Sequence, residues 1–226
     1  MKLSIIVPVL NEGERLRGAI NALRPLRVNG HEVIVVDGGS SDETPVIAAR
    51  LADRFLSSAR GRAIQMNAGA QAASGDVLLF LHADTLLPPG ADRLIADGLR
   101  DSGRGWGRFD VRLADRHPLL RLVALMMNLR SRLSGIMTGD QAIFVRRDWF
   151  ERIGGFPGIA LMEDIALSKR LKREGPPLCL RAKVVTSSRR WRERGILRTM
   201  LLMWRLRLAW FLGADPDHLA RRYDRR

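Results

Sequence analysis

Asp76-Val77-Leu78-Leu79-Phe80-Leu81-His82-Ala83-Asp84 decides how the rest of the chain is read. The apolar run Val77 to Leu81 is too short for a globular helix and has the unbroken hydrophobicity of a strand covered on both faces, as in a parallel sheet. It stops at His82 and Asp84, two side chains able to hold a metal, and Pro88-Pro89-Gly90 then turns the chain away. Open α/β sheets bind ligands beyond the carboxyl ends of their strands, so Asp84 stands where a substrate or metal is expected.

Working outward, Ser4 to Leu10 reads as a first buried strand and Gly13 to Leu23 as a helix with Leu16, Ile20 and Leu23 on one face. Glu32 to Val36 reads as a second strand delivering Asp37 to the turn Gly38-Gly39-Ser40-Ser41-Asp42-Glu43-Thr44. Ser41 or Asp42 is expected to cap the helix that follows, through Leu51. Phe55 to Ser58 suits a short strand and Ala63 to Ala73 a small-residue helix leading into the Val77 strand. This alternation predicts an α/β fold with a mostly parallel sheet. Beyond residue 100 the pattern changes. Trp106 to Leu113 alternates like an exposed or edge strand, and Leu119 to Leu133 reads as a helix. Met137 to Val145 reads as a strand, Glu163 to Arg173 as a helix and Leu178 to Ser188 as a last strand, so mixed strand directions are expected.

The chain has 226 residues, enough for one substantial core. Its formal net charge is +14, and residues 181–226 hold 13 Lys or Arg against 4 Asp or Glu. That basic tail admits nucleic acid, an anionic membrane surface or a phosphorylated substrate. A single cysteine, Cys179, excludes an internal disulfide and a cysteine zinc site and fits a reducing cytoplasmic setting. The first residues lack the form of a signal peptide. Ile196 to Leu212 is apolar in bulk, but Arg198, Arg205 and Arg207 would each cost a few kcal/mol or more at a bilayer centre, which argues against a spanning helix. The expectation for this tail is packing on the protein or on a second copy, in a homodimer, ahead of peripheral contact with the inner face of a membrane.

Ser4-Ile5-Ile6-Val7-Pro8-Val9-Leu10-Asn11-Glu12, followed by Val35-Val36-Asp37-Gly38-Gly39-Ser40-Ser41-Asp42, resembles family 2 glycosyltransferases over about residues 3–191. Arg60-Gly61-Arg62-Ala63-Ile64-Gln65-Met66-Asn67-Ala68-Gly69, His82-Ala83-Asp84 and Thr138-Gly139-Asp140-Gln141 are similar to a bacterial subgroup associated with radical-SAM and selenodomain proteins. The resemblance implies a GT-A fold: a catalytic domain over 1–195, with 1–100 binding a nucleotide diphosphate sugar and 101–195 receiving the acceptor, then a basic, apolar helical tail over 196–226. The implied reaction moves a sugar to an acceptor hydroxyl, inverting and metal-dependent, with no nucleic-acid partner and with a lipid-linked acceptor among the candidates.

Carried over residue by residue, Asp37 would bind the nucleotide base, with Pro8, Asn11 and Glu12 lining the same pocket; the alternatives are that Asp37 caps its own turn and that Glu12 only favours a helix start. Asp84 would ligate Mn²⁺ or Mg²⁺ bridging the phosphates, since hard cations need few protein oxygens when phosphates supply the rest. His82 replaces the family's first carboxylate and is read equally as a metal ligand or as a hydrogen-bonding contact to sugar or ribose. Glu163 and Asp164 stand where the family has its acidic pair, with Asp164 as general base; helix capping is the alternative. Asp140 and Gln141 would meet the acceptor or donor sugar, or form an ordinary turn. Ser187-Ser188-Arg189-Arg190-Trp191 is similar to the family's Gln-x-x-Arg-Trp element with Ser187 in place of Gln, so Arg190 would meet the diphosphate and Trp191 would stack, or the run is a solvated basic face. Arg60 and Arg62 are further phosphate contacts. A nucleotidyltransferase and a non-catalytic module binding nucleotide sugar or an anionic surface remain as alternatives.

Overall fold

The computed structural model describes residues 1–224. The chain runs through β1 (Leu3–Val9), α1 (Gly13–Ala22), α2 (Arg24–Val28), β2 (Glu32–Asp37), α3 (Thr44–Leu51), β3 (Arg54–Ser57), α4 (Arg62–Ala72), β4 (Val77–Phe80), β5 (Thr85–Leu86) and α5 (Ala91–Ser102). It continues through β6 (Trp106–Leu113), α6 (Pro118–Ser134), a 3₁₀ turn (Gly139–Gln141), β7 (Phe144–Arg146), α7 (Arg147–Arg152), α8 (Glu163–Glu174), β8 (Leu178–Thr186), α9 (Arg189–Arg194), α10 (Ile196–Phe211) and α11 (Pro216–Asp224).

One eight-stranded sheet has the order β3-β2-β1-β4-β7-β6-β8-β5. The four strands of the first half pair in parallel, and β7 enters antiparallel to β4 and β6. Chain order reverses between β1 and β4, which opens a crevice at their carboxyl ends. The strands' period of two feeds separate cores on the two faces. Ile5, Val7 and Val9 pack with Leu16 and Ile20 of α1 and Ile95 of α5. Ile6, Ile34 and Val36 pack with Met66 of α4 and Leu167 of α8 on the other face. Each such side chain contributes about 1.5–3 kcal/mol of transfer free energy. The α4 helix comes so near β1 that a Cβ on Gly69 would collide with Ile6, so the small residues of α4 set the helix-to-sheet distance.

Three expectations are corrected. Trp106 to Leu113 is interior, between β7 and β8, with Trp106, Arg108 and Phe109 fully buried. Its polar alternation misleads because Arg108 and Asp110 share a face covered by α6: Arg108 donates to Asp110 and to the Asn128 carbonyl (3.1 Å), and Arg132 donates to Asp110 (2.7 Å). Met137 to Val145 is a strand only from Phe144; its first part is the 3₁₀ turn. Glu43 is the residue at the start of α3, and Asp42 instead holds the Thr44 and Gly13 N–H groups, each at 3.0 Å. In the tail, α10 and α11 set Leu206 and Leu219 against Met162 and Ile165. Among the described residues no helix is long and apolar enough to cross a membrane.

Candidate active site

The loops after β1 and β2 are laced together. Asn11, at φ 54°, donates its N–H to Ser40 Oγ (2.8 Å) and accepts from the Ser41 N–H (2.9 Å); the Glu12 N–H donates to Thr44 Oγ1 (2.9 Å). Asp37 is buried and accepts from the N–H groups of Gly39 (3.0 Å) and Ser40 (2.9 Å) and from the Ser40 hydroxyl. It therefore does cap its own turn, building the wall of the crevice with half-buried Pro8 beside it. Gln65, a residue of the quoted motif with no role assigned from sequence, is buried and donates to the Val9 and Val36 carbonyls, both at 2.8 Å. This amide clamps the ends of β1 and β2. An uncharged side chain inside a helix gives no local signal of such a task.

The catalytic end is assembled by pairing across distant sequence. β5 joins β8 with Thr85 opposite Thr186, their hydroxyls 2.9 Å apart, and the Ser187 N–H donates to the Asp84 carbonyl (3.1 Å). That register carries Arg190 over the crevice, where its charge meets Asp84 and Asp140. Burial, then the like charge of Arg62, lowers its pKa. Arg189 reaches Glu12 at 3.9 Å, so α9 roofs both ends of the crevice. Arg62 is exposed, and its field acts on Asp140, Glu163 and Arg190. Arg60 lies exposed on the preceding loop.

Glu163 and Asp164 open α8 after Met162, which takes the left-handed conformation at φ 69°. With Asn11 and Ala142 (φ 48°), the three non-glycine residues at positive φ among the described residues all lie at or beside the site, the placement expected of strain held for function. Asp164 accepts from the Gly139 N–H (2.9 Å) and the Ile165 N–H (2.7 Å), which aims a half-buried carboxylate while leaving lone pairs free. Glu163 is buried. Desolvation first, then the charge of Asp164, pushes its carboxyl up to about 7.

His82 Nδ1 lies 3.3 Å from Asp140 Oδ1. Burial opposes ionisation of Asp140, but the His82 hydrogen bond and charge, with Arg62 and Arg190, hold its carboxyl below the usual range. The Nε2 side of the ring rests on Gly139, where a Cβ would collide with it. Nδ1 is thus engaged by Asp140, and the close fit of the ring against Gly139 fixes its orientation. Gln141 is fully buried and donates to Ser131 Oγ (3.0 Å) while Thr138 donates to it; it holds the 3₁₀ turn from beneath and does not face the crevice. Trp191 is half-buried and packs against the cluster of Leu113, Leu120 and Val123.

Among the described residues no three His, Cys, Asp or Glu side chains converge as a metal cage. The donor set nonetheless suits a cation held mainly by phosphate: Asp84 is half-buried, and among the described residues its carboxylate accepts one hydrogen bond, from the Thr85 hydroxyl at 3.5 Å. Sequence reading also missed Arg130 of α6. Its Nε and Nη2 are buried without a hydrogen-bond partner among the described residues, and it senses the charge of Asp164. Burial, then the like charge of Arg207, lowers its pKa to about 10. His31 joins the Leu3 N–H (3.2 Å) to Asp92, and His117 caps α6 through the Leu119 N–H (3.2 Å).

A doubly covered sheet with carboxylates and arginines at its carboxyl edge defines the GT-A class, and solved structures bear this out. Staphylococcus aureus TarS in complex with UDP superposes with a TM-score of 0.70 at 18% identity, over 83% of this chain and 60% of that one. The mannosyltransferase PcManGT of Pyrobaculum calidifontis, in complex with GDP-Man and Mn²⁺, gives 0.66 at 23% identity, over 92% and 60%. Residues 4–154 match the model of glycosyl transferase family 2, and the chain belongs to that family. A probable glycosyltransferase of Bacillus subtilis, YdaM, is 25% identical over 94% of this chain, and a PGL/p-HBAD biosynthesis glycosyltransferase of Mycobacterium bovis is 35% identical over 37% of it. The chain spans only 55% and 36% of those two relatives.

Proposed function

We propose that this chain transfers a sugar from a nucleotide diphosphate donor to an acceptor hydroxyl with inversion at the anomeric carbon. The observation that carries the reading is the convergence of Asp84, Asp164 and Arg190 at one sheet edge, with Gly139 and His82 fixing the geometry between them. The UDP and GDP-Man bound to the neighbouring structures support a donor of this kind. The nucleotide lies against the laced loops at Asn11 and Asp37, and the acceptor approaches from the α6 and α8 side, following the division at about residue 100. Asp164 accepts the proton of the acceptor hydroxyl as that oxygen attacks from the side opposite the leaving diphosphate. Arg190 and Arg62 receive the charge that builds on the diphosphate. Glu163, with its raised pKa, keeps a second negative charge from crowding Asp164. A divalent cation, Mn²⁺ or Mg²⁺, would be held by Asp84 and the phosphates and supplies charge neutralisation on the leaving group.

The subgroup associated with radical-SAM and selenodomain proteins is our finer placement, resting on the Arg60 to Gly69 and Thr138 to Gln141 motifs, and the single cysteine supports a cytoplasmic setting. The deciding experiment incubates the chain with a panel of nucleotide diphosphate sugars and Mn²⁺ and measures release of free nucleotide diphosphate. Release that needs both the sugar donor and the metal supports transfer. Tight donor binding with no release across the panel would identify a non-catalytic module, and pyrophosphate release from nucleoside triphosphates would identify a nucleotidyltransferase.

A further inference from the structure

Two helices leave apolar stripes in water. On α6, Leu122, Met126, Leu129 and Leu133 recur at helical spacing and are exposed, Leu133 by 80%. On α10, Leu201, Trp204, Leu208 and Phe211 do the same, Trp204 by 57% and Phe211 by 76%. The opposite faces are the ones used in folding: Leu120 and Asn128 of α6, and Thr199 and Leu206 of α10, are buried. The helices meet where Leu120 and Val123 gather Ile196 and Met200, and the charge of Arg207 is felt at Arg130 further along. Both stripes are exposed apolar surface of a kind that soluble proteins seldom leave uncovered.

The charges on these helices say what covers it. Neither α6 nor α10 contains an Asp or Glu, and each contains three arginines: Arg121, Arg130 and Arg132, and Arg198, Arg205 and Arg207. Arg198 and Arg205 border the α10 stripe and, with Arg194 and the single carboxylate of Glu193, line a cleft of about 610 Å³ walled by Leu201 and Leu202, which leaves it net positive. Apposing two copies of this face would set a net positive surface against itself, three arginines to the one carboxylate of Glu193 in the cleft of each copy. A nucleic acid would meet the arginines and leave Trp204 and the leucines wet. Leu and Trp side chains bordered by arginine match the boundary of headgroup and acyl chain in a bilayer carrying negative charge.

We propose that the α6 and α10 stripes together form a docking face for an anionic lipid bilayer, the arginine-lined cleft receiving headgroup phosphates and the apolar rows entering the acyl boundary. The face belongs to the folded catalytic body through α6 and not to the tail alone, and it stands whether or not sugar transfer is the chain's reaction.

The test is co-sedimentation of the full chain with vesicles of phosphatidylglycerol and phosphatidylcholine, against pure phosphatidylcholine, at low and high salt. Binding to the anionic vesicles is expected, weakened by salt. Met126→Glu on α6 and Trp204→Glu on α10 should each lower the partition coefficient by about tenfold or more, the scale of removing one buried apolar group and adding a repelled charge. Both positions are exposed, so melting temperatures should stay within a few degrees. The pair Arg198→Gln with Arg205→Gln provides an independent check, expected to lower binding and its salt dependence. Absence of binding at low salt, equal binding to neutral vesicles, or full binding by Met126→Glu would overturn the proposal. So would a dimer in sedimentation that dissociates in the Met126→Glu and Trp204→Glu variants, because the face would then be an interface between copies.

Discussion

The N–H of Gly139 donates to Asp164 at 2.9 Å while its α-carbon lies flush against the His82 ring. One glycine thus spaces the histidine that holds Asp140 from the carboxylate assigned as base. Gly139→Ala is expected to push the His82 ring aside and tilt the 3₁₀ turn. Misplacement of about an ångström can cost roughly 10²-fold in rate, so transfer should fall on that scale while global unfolding is little changed. Steady-state kinetics with a thermal melt checks both; transfer at the normal rate would show that the spacing does not matter.

Asp164→Asn keeps the side-chain volume and removes the proton acceptor. Transfer should fall by roughly 10²-fold or more, the usual scale for a general base, with donor affinity near normal. Equal losses in calorimetric donor binding and in turnover would reassign Asp164 to a purely structural role.

Asp84→Ala should abolish the Mn²⁺-dependent part of nucleotide affinity. The remaining carboxylate nearby, Asp140, is already held by His82. Titration calorimetry with and without Mn²⁺ reads this directly, and an unchanged metal dependence would remove Asp84 from the metal site.

Glu163 makes stability depend on pH with a defined sign. Its folded pKa, about 7, is raised above the ordinary glutamate value of 4.5, so its favourable contribution is fully present below about pH 4.5 and is lost as pH rises through 7. Glu163→Gln should therefore match the parent chain near pH 4.5 and exceed it by about 2–3 kcal/mol near pH 8. Urea denaturation at the two values tests it; equal stabilities at both would place the Glu163 carboxyl in an ordinary environment.

Arg130 carries two buried nitrogens without partners among the described residues. Replacing such a group by an apolar side chain of similar length is commonly neutral or stabilising, by roughly 1–3 kcal/mol. Arg130→Met is expected to keep or raise the unfolding free energy and to slow transfer, because a cation beside Asp164 is lost. A destabilised variant with normal turnover would make Arg130 a packing residue only.

Read alone, the sequence determined the parallel half of the sheet, because β1, β2 and β4 are apolar runs whose ends are marked by Asn11, Asp37 and His82-Ala83-Asp84, and these are local signals. It also determined the family, and the resemblance is what points to Asp84, Glu163 and Asp164 as the carboxylates of the site we propose. Tertiary structure alone decided what each polar side chain has left to offer. Arg108 and Asp110 look solvent-facing in an alternating strand, yet α6 buries them as a pair. Gln141 is next to Asp140 in the chain and on the opposite side of the turn in space, where Ser131 and Thr138 use its amide. Arg190 feels the charge of Asp84 only because Thr85 pairs with Thr186 across a hundred residues of chain, and Nδ1 of His82 is engaged by Asp140. Hydrophobic period and turn chemistry act within a few residues and can be read in order. Burial and hydrogen-bond saturation depend on which distant element covers a side chain, and that is fixed only when the chain has folded.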